Sequence, residues 1–71
     1  MTIEWTDVDS SNLAAIGYDE EDNSLFVRFN SGQEYVYYDV PVDIFEAFKD
    51  AESKGKYLNE HIKGAYGYAK R

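Results

Sequence analysis

Three short segments in which apolar and polar residues alternate constrain the fold of this chain more than any other feature. They are 13–19 (LAAIGYD), 24–29 (SLFVRF) and 34–38 (EYVYY), and the sequences between them are DEEDN and NSGQ. Alternation with a period of two is the pattern of a strand with two different faces. Gly32 suits the tight turn of a hairpin, because glycine accepts a positive φ angle. The three segments therefore predict a three-stranded antiparallel meander.

The pattern becomes helical after Val40-Pro41. Proline suits the first turn of a helix, where its missing N–H is not needed. An apolar stripe with helical spacing follows, formed by Ile44, Phe45, Phe48 and Ala51. We expect this helix to end at Ser53-Lys54-Gly55 and to lie on the sheet face made by Leu25, Val27 and Phe29.

The two ends of the chain are less regular. Residues 2–8 (TIEWTDV) form either a weak extra strand or an ordered arm. Residues 56–63 are predicted to form a second short helix that ends at Gly64, and 65–71 to trail off with Tyr66 or Tyr68 packed back. The predicted fold class is α+β, a meander followed by two short C-terminal helices packed on the sheet. A chain of 71 residues forms one domain, 1–71.

The amino-acid composition excludes several classes of protein. There is no cysteine, which excludes disulfides and thiolate chemistry. No apolar run approaches the roughly 20 residues that span a bilayer. Residues 1–10 are acidic and lack the basic and apolar regions of a signal peptide. We therefore expect a cytoplasmic protein without a membrane partner.

The sequence carries no recognisable catalytic or metal-binding pattern. His61 is the only histidine, and no motif ties it to a serine. The DEEDN segment has Ser24 where a calcium loop needs glycine and Asn30 where it needs glutamate. Zinc ligands are missing as well. We predict a non-enzymatic protein with no metal and no cofactor.

Two regions are candidates for binding RNA. Tyr35 and Tyr37 share one face of the last predicted strand. They either face the helices as part of the core or lie on an open sheet face, where tyrosines can stack on nucleobases. The second region combines positive charge, an aromatic ring and an amide, although such residues are also ordinary surface. It consists of Lys54, Lys56, Tyr57, Asn59, His61 and Lys63.

Charge favours a different kind of partner. The net charge is −7, and residues 1–43 hold ten carboxylates against Arg28 alone. From Ser53 onward the chain holds five basic residues and only Glu60. An acidic surface can present charge to a basic protein, and the alternative is a solvated surface that keeps the protein soluble. The candidate residues for an acidic binding surface are Asp19, Glu20, Glu21, Asp22, Glu34 and Asp39.

A series of short motifs resembles the KTSC domain family. The series runs through Val8-Asp9-Ser10-Ser11, Ile16-Gly17-Tyr18-Asp19, Gly32, Tyr35-Val36-Tyr37, Val40-Pro41, Ala51-Glu52-Ser53-Lys54-Gly55, Leu58-Asn59 and Tyr66. The resemblance covers about residues 8–68. The family occurs at the C-terminus of some lysyl-tRNA synthetases and as free-standing proteins of bacteria and their viruses.

The resemblance implies an accessory domain that binds RNA or tRNA, which is one functional hypothesis. The other is an acidic protein-interaction module, such as a bacterial or viral inhibitor or regulator that binds a basic protein surface.

Overall fold

The computed structural model describes residues 3–71 and consists of one antiparallel sheet and two short helical regions. In chain order the elements are β1 (Glu4–Asp7), β2 (Leu13–Asp19), β3 (Ser24–Phe29), β4 (Glu34–Tyr37), α1 (Val42–Asp50), α2 (Lys54–Tyr57), a π-helical turn (Leu58–Ile62) and β5 (Tyr68–Lys70). The sheet has the order β1-β2-β3-β4-β5, so each strand pairs with the strand before it in sequence. The predicted α+β class and the central meander are confirmed.

The sheet has two more strands than the meander. β1 pairs with β2, with Trp5 opposite Gly17, so the extra-strand alternative for the N-terminal region is correct. β5 was not expected, because residues 65–71 were predicted to be irregular. It pairs antiparallel with β4, which would otherwise present unpaired backbone groups at the edge of the sheet. Three residues are too few for a period-two pattern to be recognised in sequence.

The face of the sheet that carries Leu25 is the face covered by the helices. Residues directly opposite each other in an antiparallel pair share a face, and Leu25 lies opposite both Tyr18 and Tyr37. All three side chains are buried. The core on this side comprises Leu13, Ile16, Tyr18, Leu25, Val27, Tyr37, Val40, Phe45, Phe48, Leu58 and Ile62.

The first helix is shorter than predicted and packs as expected. α1 ends at Asp50, because Ala51 has an extended backbone with ψ 140°. Its buried residues are Phe45 and Phe48, and the Phe45 ring stacks on Tyr18 with the ring centroids 4.9 Å apart. The Tyr18 hydroxyl donates to the Val40 carbonyl, so this buried polar group has a partner.

The second helical region begins two residues earlier than predicted. Ser53 caps α2, since its hydroxyl accepts a hydrogen bond from the Lys56 N–H at 3.4 Å. The region continues as a π-helical turn in which the Lys63 N–H donates to the Leu58 carbonyl at 2.7 Å. Leu58 and Ile62 are buried there, as expected. None of the helices formed by residues 3–71 has the length and apolar character needed to cross a membrane.

The opposite face of the sheet is covered by its own side chains. The Trp5 ring lies against Phe26, which faces Gly17, a position without a side chain. The guanidinium of Arg28 lies 4.4 Å from the Trp5 ring centroid, and that of Arg71 lies 4.9 Å from the Phe26 centroid. These contacts leave Phe26 only 5% exposed without any helix on that side.

Candidate nucleic-acid interface

One end of the sheet forms an open groove against α2 and the π-helical turn. The loop between β1 and β2 and the loop between β3 and β4 both lie at this end, because they follow alternate strands of the meander. The groove has a volume of about 560 Å³, which lies within the size range of small-molecule sites, roughly 300–1,000 Å³.

Aromatic and apolar side chains form the floor of the groove, and neutral polar side chains form its walls. The floor residues are Leu13, Phe29, Tyr35, Tyr37 and Leu58. The polar residues are Ser11, Asn12, Asn30, Ser31, Gln33 and Asn59. Four of these six carry a side-chain amide, so we call this feature the amide groove.

Hydrogen bonds fix the two loops that build one wall of the amide groove. The Asn30 side-chain amide donates to the carbonyls of Ser10 and Ser11 at 3.2 and 3.0 Å. The Asn30 backbone N–H donates to the Asn12 carbonyl at 2.9 Å. Gly32 turns the β3–β4 hairpin with a φ of 92°, as its sequence position predicted. The wall is therefore held in place before any ligand arrives.

Gly55 brings α2 close to the same wall. A Cβ atom at this position would lie 3.2 Å from Nδ2 of Asn12, closer than ordinary van der Waals contact. The absence of a side chain at Gly55 thus leaves the Asn12 amide room at the rim of the groove.

The charge of the amide groove differs from that of the protein as a whole. The net charge of the chain is −7, yet none of the described residues that line the groove carries a carboxylate. Lys63 is the one basic residue among them. The described lining therefore offers an anionic ligand one cation and no carboxylate, on a chain whose net charge is negative.

The most buried aromatic residue of the groove floor is Tyr37, with 1% of its surface exposed. Desolvation by burial raises the pKa of its phenol, and the neighbouring Tyr35 and Tyr68 act in the same direction. Burial likewise raises the pKa of Tyr18, with a smaller contribution from Glu20. Both phenols therefore hold their protons to a higher pH than exposed tyrosines do.

The structure decides which face Tyr35 and Tyr37 occupy. Both lie on the helix-covered face, with Tyr37 in the core and Tyr35 half-buried beside it. The alternative of an open sheet face on which both rings stack with bases is therefore wrong. Tyr37 borders the groove only as part of its floor, because its ring is buried between the sheet and the helices.

The remaining RNA candidates fall on two sides of one helical region. Asn59 and Lys63 line the amide groove. Lys56, Tyr57 and His61 instead line a shallower depression of about 260 Å³. Residues four positions apart lie on the same side of a helix, as Tyr57 and His61 do, whereas residues two positions apart lie on different sides, as Tyr57 and Asn59 do.

Two of the candidates are already engaged in structural contacts. The Nζ atom of Lys54 donates to the Ala51 carbonyl at 2.8 Å and so satisfies a free carbonyl at the end of α1. The Tyr57 ring packs against Phe48 and against His61, with centroid distances of 5.7 and 4.6 Å. Tyr57 thus joins the helical region to the core.

The acidic candidates are only partly on the surface. Asp19 is 1% exposed, and its carboxylate accepts the Glu21 N–H at 3.0 Å, so its assignment to a binding surface is wrong. Glu34 is half-buried and forms ion pairs with Arg28 at 2.8 Å and with Arg71 at 3.4 Å, which reduce the negative charge that it offers a partner. Its place in an acidic binding surface stays a prediction. The candidates that remain exposed are Glu20, Glu21, Asp22 and Asp39.

The exposed acids lie at the end of the sheet away from the amide groove. Glu20, Glu21 and Asp22 belong to the β2–β3 turn, at the opposite end of the strands from the groove loops. Asp39 follows β4 at that same end, and the next residue, Val40, donates its N–H to the Asn23 carbonyl of the turn at 2.9 Å. The molecule therefore has an acidic end and a carboxylate-free groove at the other.

Sequence reasoning missed most of the groove. Asn30 and Gln33 lie in a segment that was interpreted only as a hairpin turn, and Asn12 was not considered as a site residue. The signal that could have identified them was the meander itself, because alternate loops of a meander meet at one end. Tyr68 was expected only to pack back on the domain, which it does against Tyr35 and Tyr37, and its place in β5 was not recognised.

The fold and the groove together define a class, a small α+β domain whose motif-bearing loops meet at one neutral polar groove. The KTSC domain matches residues 9–66, and the chain therefore belongs to the KTSC domain family. The resemblance inferred from the sequence is thus confirmed.

Related sequences occur in two kinds of protein. A protein of Tsukamurella paurometabola is 41% identical over 56 residues, which are 79% of this chain and 84% of that protein. A lysine–tRNA ligase of a Nostoc species is 35% identical over 60 residues, 84% of this chain but only 11% of the ligase. The domain thus occurs as a small protein and as a minor part of a large enzyme.

The fold is shared with a solved structure. A crystal structure of a KTSC domain protein from Yersinia pestis superposes with a TM-score of 0.94 at 31% identity, and 99% of each chain is covered. The five-stranded arrangement is therefore that of a KTSC domain protein over its whole length.

Proposed function

We propose that this protein is a non-catalytic accessory module that binds single-stranded RNA in the amide groove. The observation that carries the proposal is the composition of the groove, with four amides, an aromatic floor, one lysine and no carboxylate among its described lining residues. The occurrence of related domains in lysine–tRNA ligases, enzymes named for a tRNA substrate, supports the same ligand class.

The chemistry of the groove fits an unpaired nucleotide better than a duplex. Side-chain amides carry both donors and acceptors, so those of Asn12, Gln33 and Asn59 can pair with the edge of a base, whereas the Asn30 amide nitrogen already donates to the loop carbonyls. Those edges are accessible in single-stranded loops and ends, whereas the deep major groove of an RNA duplex hides them. The half-buried aromatic rings of the floor, Phe29 and Tyr35, can contact a base, and Lys63 can contact a phosphate.

The net charge of −7 is compatible with this mode of binding. Proteins that neutralise many phosphates need extended basic surfaces. A groove that reads one or two bases needs few phosphate contacts, because its affinity comes from stacking and hydrogen bonds. We therefore expect weak salt dependence compared with a basic RNA-binding domain.

Asn59→Asp tests the proposal, with Lys56→Gln as the matched control. Asn59→Asp introduces a carboxylate into the groove at nearly constant volume, and Lys56→Gln changes the net charge by the same amount in the other depression. The measurement is the anisotropy of a labelled single-stranded RNA titrated with each protein. We expect Asn59→Asp to weaken binding at least tenfold and Lys56→Gln to leave it within about twofold.

Equal losses in the two variants would show that only net charge matters and that the groove is not the site. A larger loss in Lys56→Gln would place the RNA in the depression lined by Tyr57 and His61.

The acidic end supports a second candidate function, the binding of a basic protein surface. Glu20, Glu21, Asp22 and Asp39 are exposed together at one end of the sheet, and such charge speeds association with a basic partner. A variant with these four residues replaced by their amides should lose a purified partner that wild-type protein binds directly. Retention of that partner would exclude the acidic end.

A further inference from the structure

Tyr68 is the most exposed large apolar residue among those described, with 57% of its surface accessible. Its position is nevertheless fixed. Its ring lies parallel to that of Tyr35, with an interplanar angle of 10° and centroids 5.8 Å apart. It also contacts Tyr37 at a centroid distance of 5.6 Å.

The outer side of the Tyr68 ring is available to a ligand. Tyr68 belongs to β5, the last strand of the sheet, and both aromatic neighbours lie in β4 on its inner side. A ring that is held by a stacking partner loses little conformational entropy when a second ring stacks on it. Tyr68 is therefore a preformed platform that continues the stack begun by Tyr35.

Lys70 lies on the same face as this platform. It is directly opposite Tyr35 in the β4–β5 pair, and Tyr68 is opposite Tyr37, so the three side chains share the helix-covered face with the groove floor. Within residues 3–71, the ion pairs formed by described side chains involve neither Lys63 nor Lys70. One lysine therefore lines the groove and another lies opposite Tyr35, and neither is engaged in an ion pair with a described side chain.

We propose that Tyr68 and Lys70 extend the amide groove into a site for two successive unpaired ribonucleotides. One base enters the groove, the next stacks on the outer face of Tyr68, and phosphates of the strand contact Lys63 and Lys70. This inference rests on the proposed RNA-binding function. It adds the number of nucleotides bound and two residues, Tyr68 and Lys70, that were not among the candidates for an RNA site.

Tyr68→Ala tests the platform, and Tyr38→Ala is the matched control. Tyr38 is also exposed, at 44%, and lies beside β5, since its N–H donates to the Gly67 carbonyl, but its ring is in none of the aromatic pairs formed by the described residues. The assay is the anisotropy of labelled single-stranded RNA. Loss of one stacked base corresponds to about 1–3 kcal/mol, so Tyr68→Ala should weaken binding roughly 5- to 150-fold. Tyr38→Ala and Tyr68→Phe should stay within about twofold of wild type.

Tyr68→Leu separates stacking from simple packing, because leucine still covers Tyr35 but offers no aromatic face. We expect it to keep the wild-type thermal midpoint within a few degrees and to bind RNA as weakly as Tyr68→Ala. Wild-type affinity in Tyr68→Leu would overturn the stacking role.

Salt dependence tests Lys70. Each phosphate contact on a single strand contributes about −0.7 to the slope of log K against log salt. We expect a slope near −1.4 for the wild type, and near −0.7 for Lys70→Ala. An unchanged slope in Lys70→Ala would remove this residue from the site.

The RNA-binding groove and its extension to Tyr68 and Lys70 can be tested separately. If Asn59→Asp weakens binding and Tyr68→Ala does not, RNA enters the groove but the extension is wrong. If wild-type protein binds no single-stranded RNA at low salt, both proposals are wrong.

Discussion

Phe48→Ala should remove a large part of the stability of this domain. Phe48 is fully buried in α1, and its ring stacks on Tyr57 with centroids 5.7 Å apart and an angle of 19°. It therefore joins α1 to the helical region that forms one side of the amide groove. Truncation of a buried phenylalanine to alanine costs about 3–5 kcal/mol. At 0.05–0.15 kcal/mol per residue, a chain of 71 residues is stable by only about 4–10 kcal/mol.

Urea unfolding followed by far-UV circular dichroism measures the effect. Val42→Ala is the matched control, because Val42 begins the same helix but is 43% exposed. We expect the control to change the free energy of unfolding by less than about 0.5 kcal/mol. Phe48→Ala should lower the thermal midpoint by at least 12 °C, taking about 4 °C per kcal/mol for a domain of this size. A loss below about 1 kcal/mol in Phe48→Ala would refute the assignment of this residue to the core.

Two further predictions concern the groove and its floor. Gly55→Ala should leave the free energy of unfolding within about 1 kcal/mol of wild type, because alanine favours a helix. It should nevertheless weaken RNA binding, because the new Cβ atom would lie 3.2 Å from the Asn12 amide nitrogen and displace it. Equal affinity in an anisotropy titration would show that this contact is not part of the site. Burial raises the pKa of Tyr37, so the folded state holds this proton more tightly than the unfolded state. Its contribution to stability is therefore complete below about pH 10 and is lost as the pH rises through the folded-state pKa. Urea unfolding between pH 8 and 11 should show a smaller alkaline loss in Tyr37→Phe, and an identical loss would contradict the assignment.

The central strands could be read from the sequence, because each is long enough to show a period of two and each is bounded by a polar turn. The stripe around Phe45 and Phe48 likewise identified α1 and the face it buries. β5 could not be recognised, since a three-residue strand exists only through its pairing with the edge of β4. The burial of Asp19 was unexpected for a similar reason, because only the paired sheet removes the last residue of β2 from water.

The sequence identified only those residues of the candidate site whose side chains have distinctive chemistry. Asn59 and Lys63 were selected because they combine an amide with a positive charge, and they do line the groove. Lys56 and His61 were selected on the same grounds but lie on another side of the helical region. Sequence proximity could not separate these pairs, because the side of a helix depends on its contacts with the sheet. Asn12 and Asn30 come together only through the meander, across the hydrogen bond between their loops.

Binding of single-stranded RNA in the amide groove can be observed residue by residue in an amide-shift NMR titration of labelled protein with a short single-stranded RNA and with tRNA. We expect shifts at low salt that cluster at Asn12, Asn30, Asn59, Lys63 and Tyr68, with the β2–β3 turn unaffected. Shifts confined to that acidic turn, or the absence of shifts at low salt, would contradict binding in the amide groove.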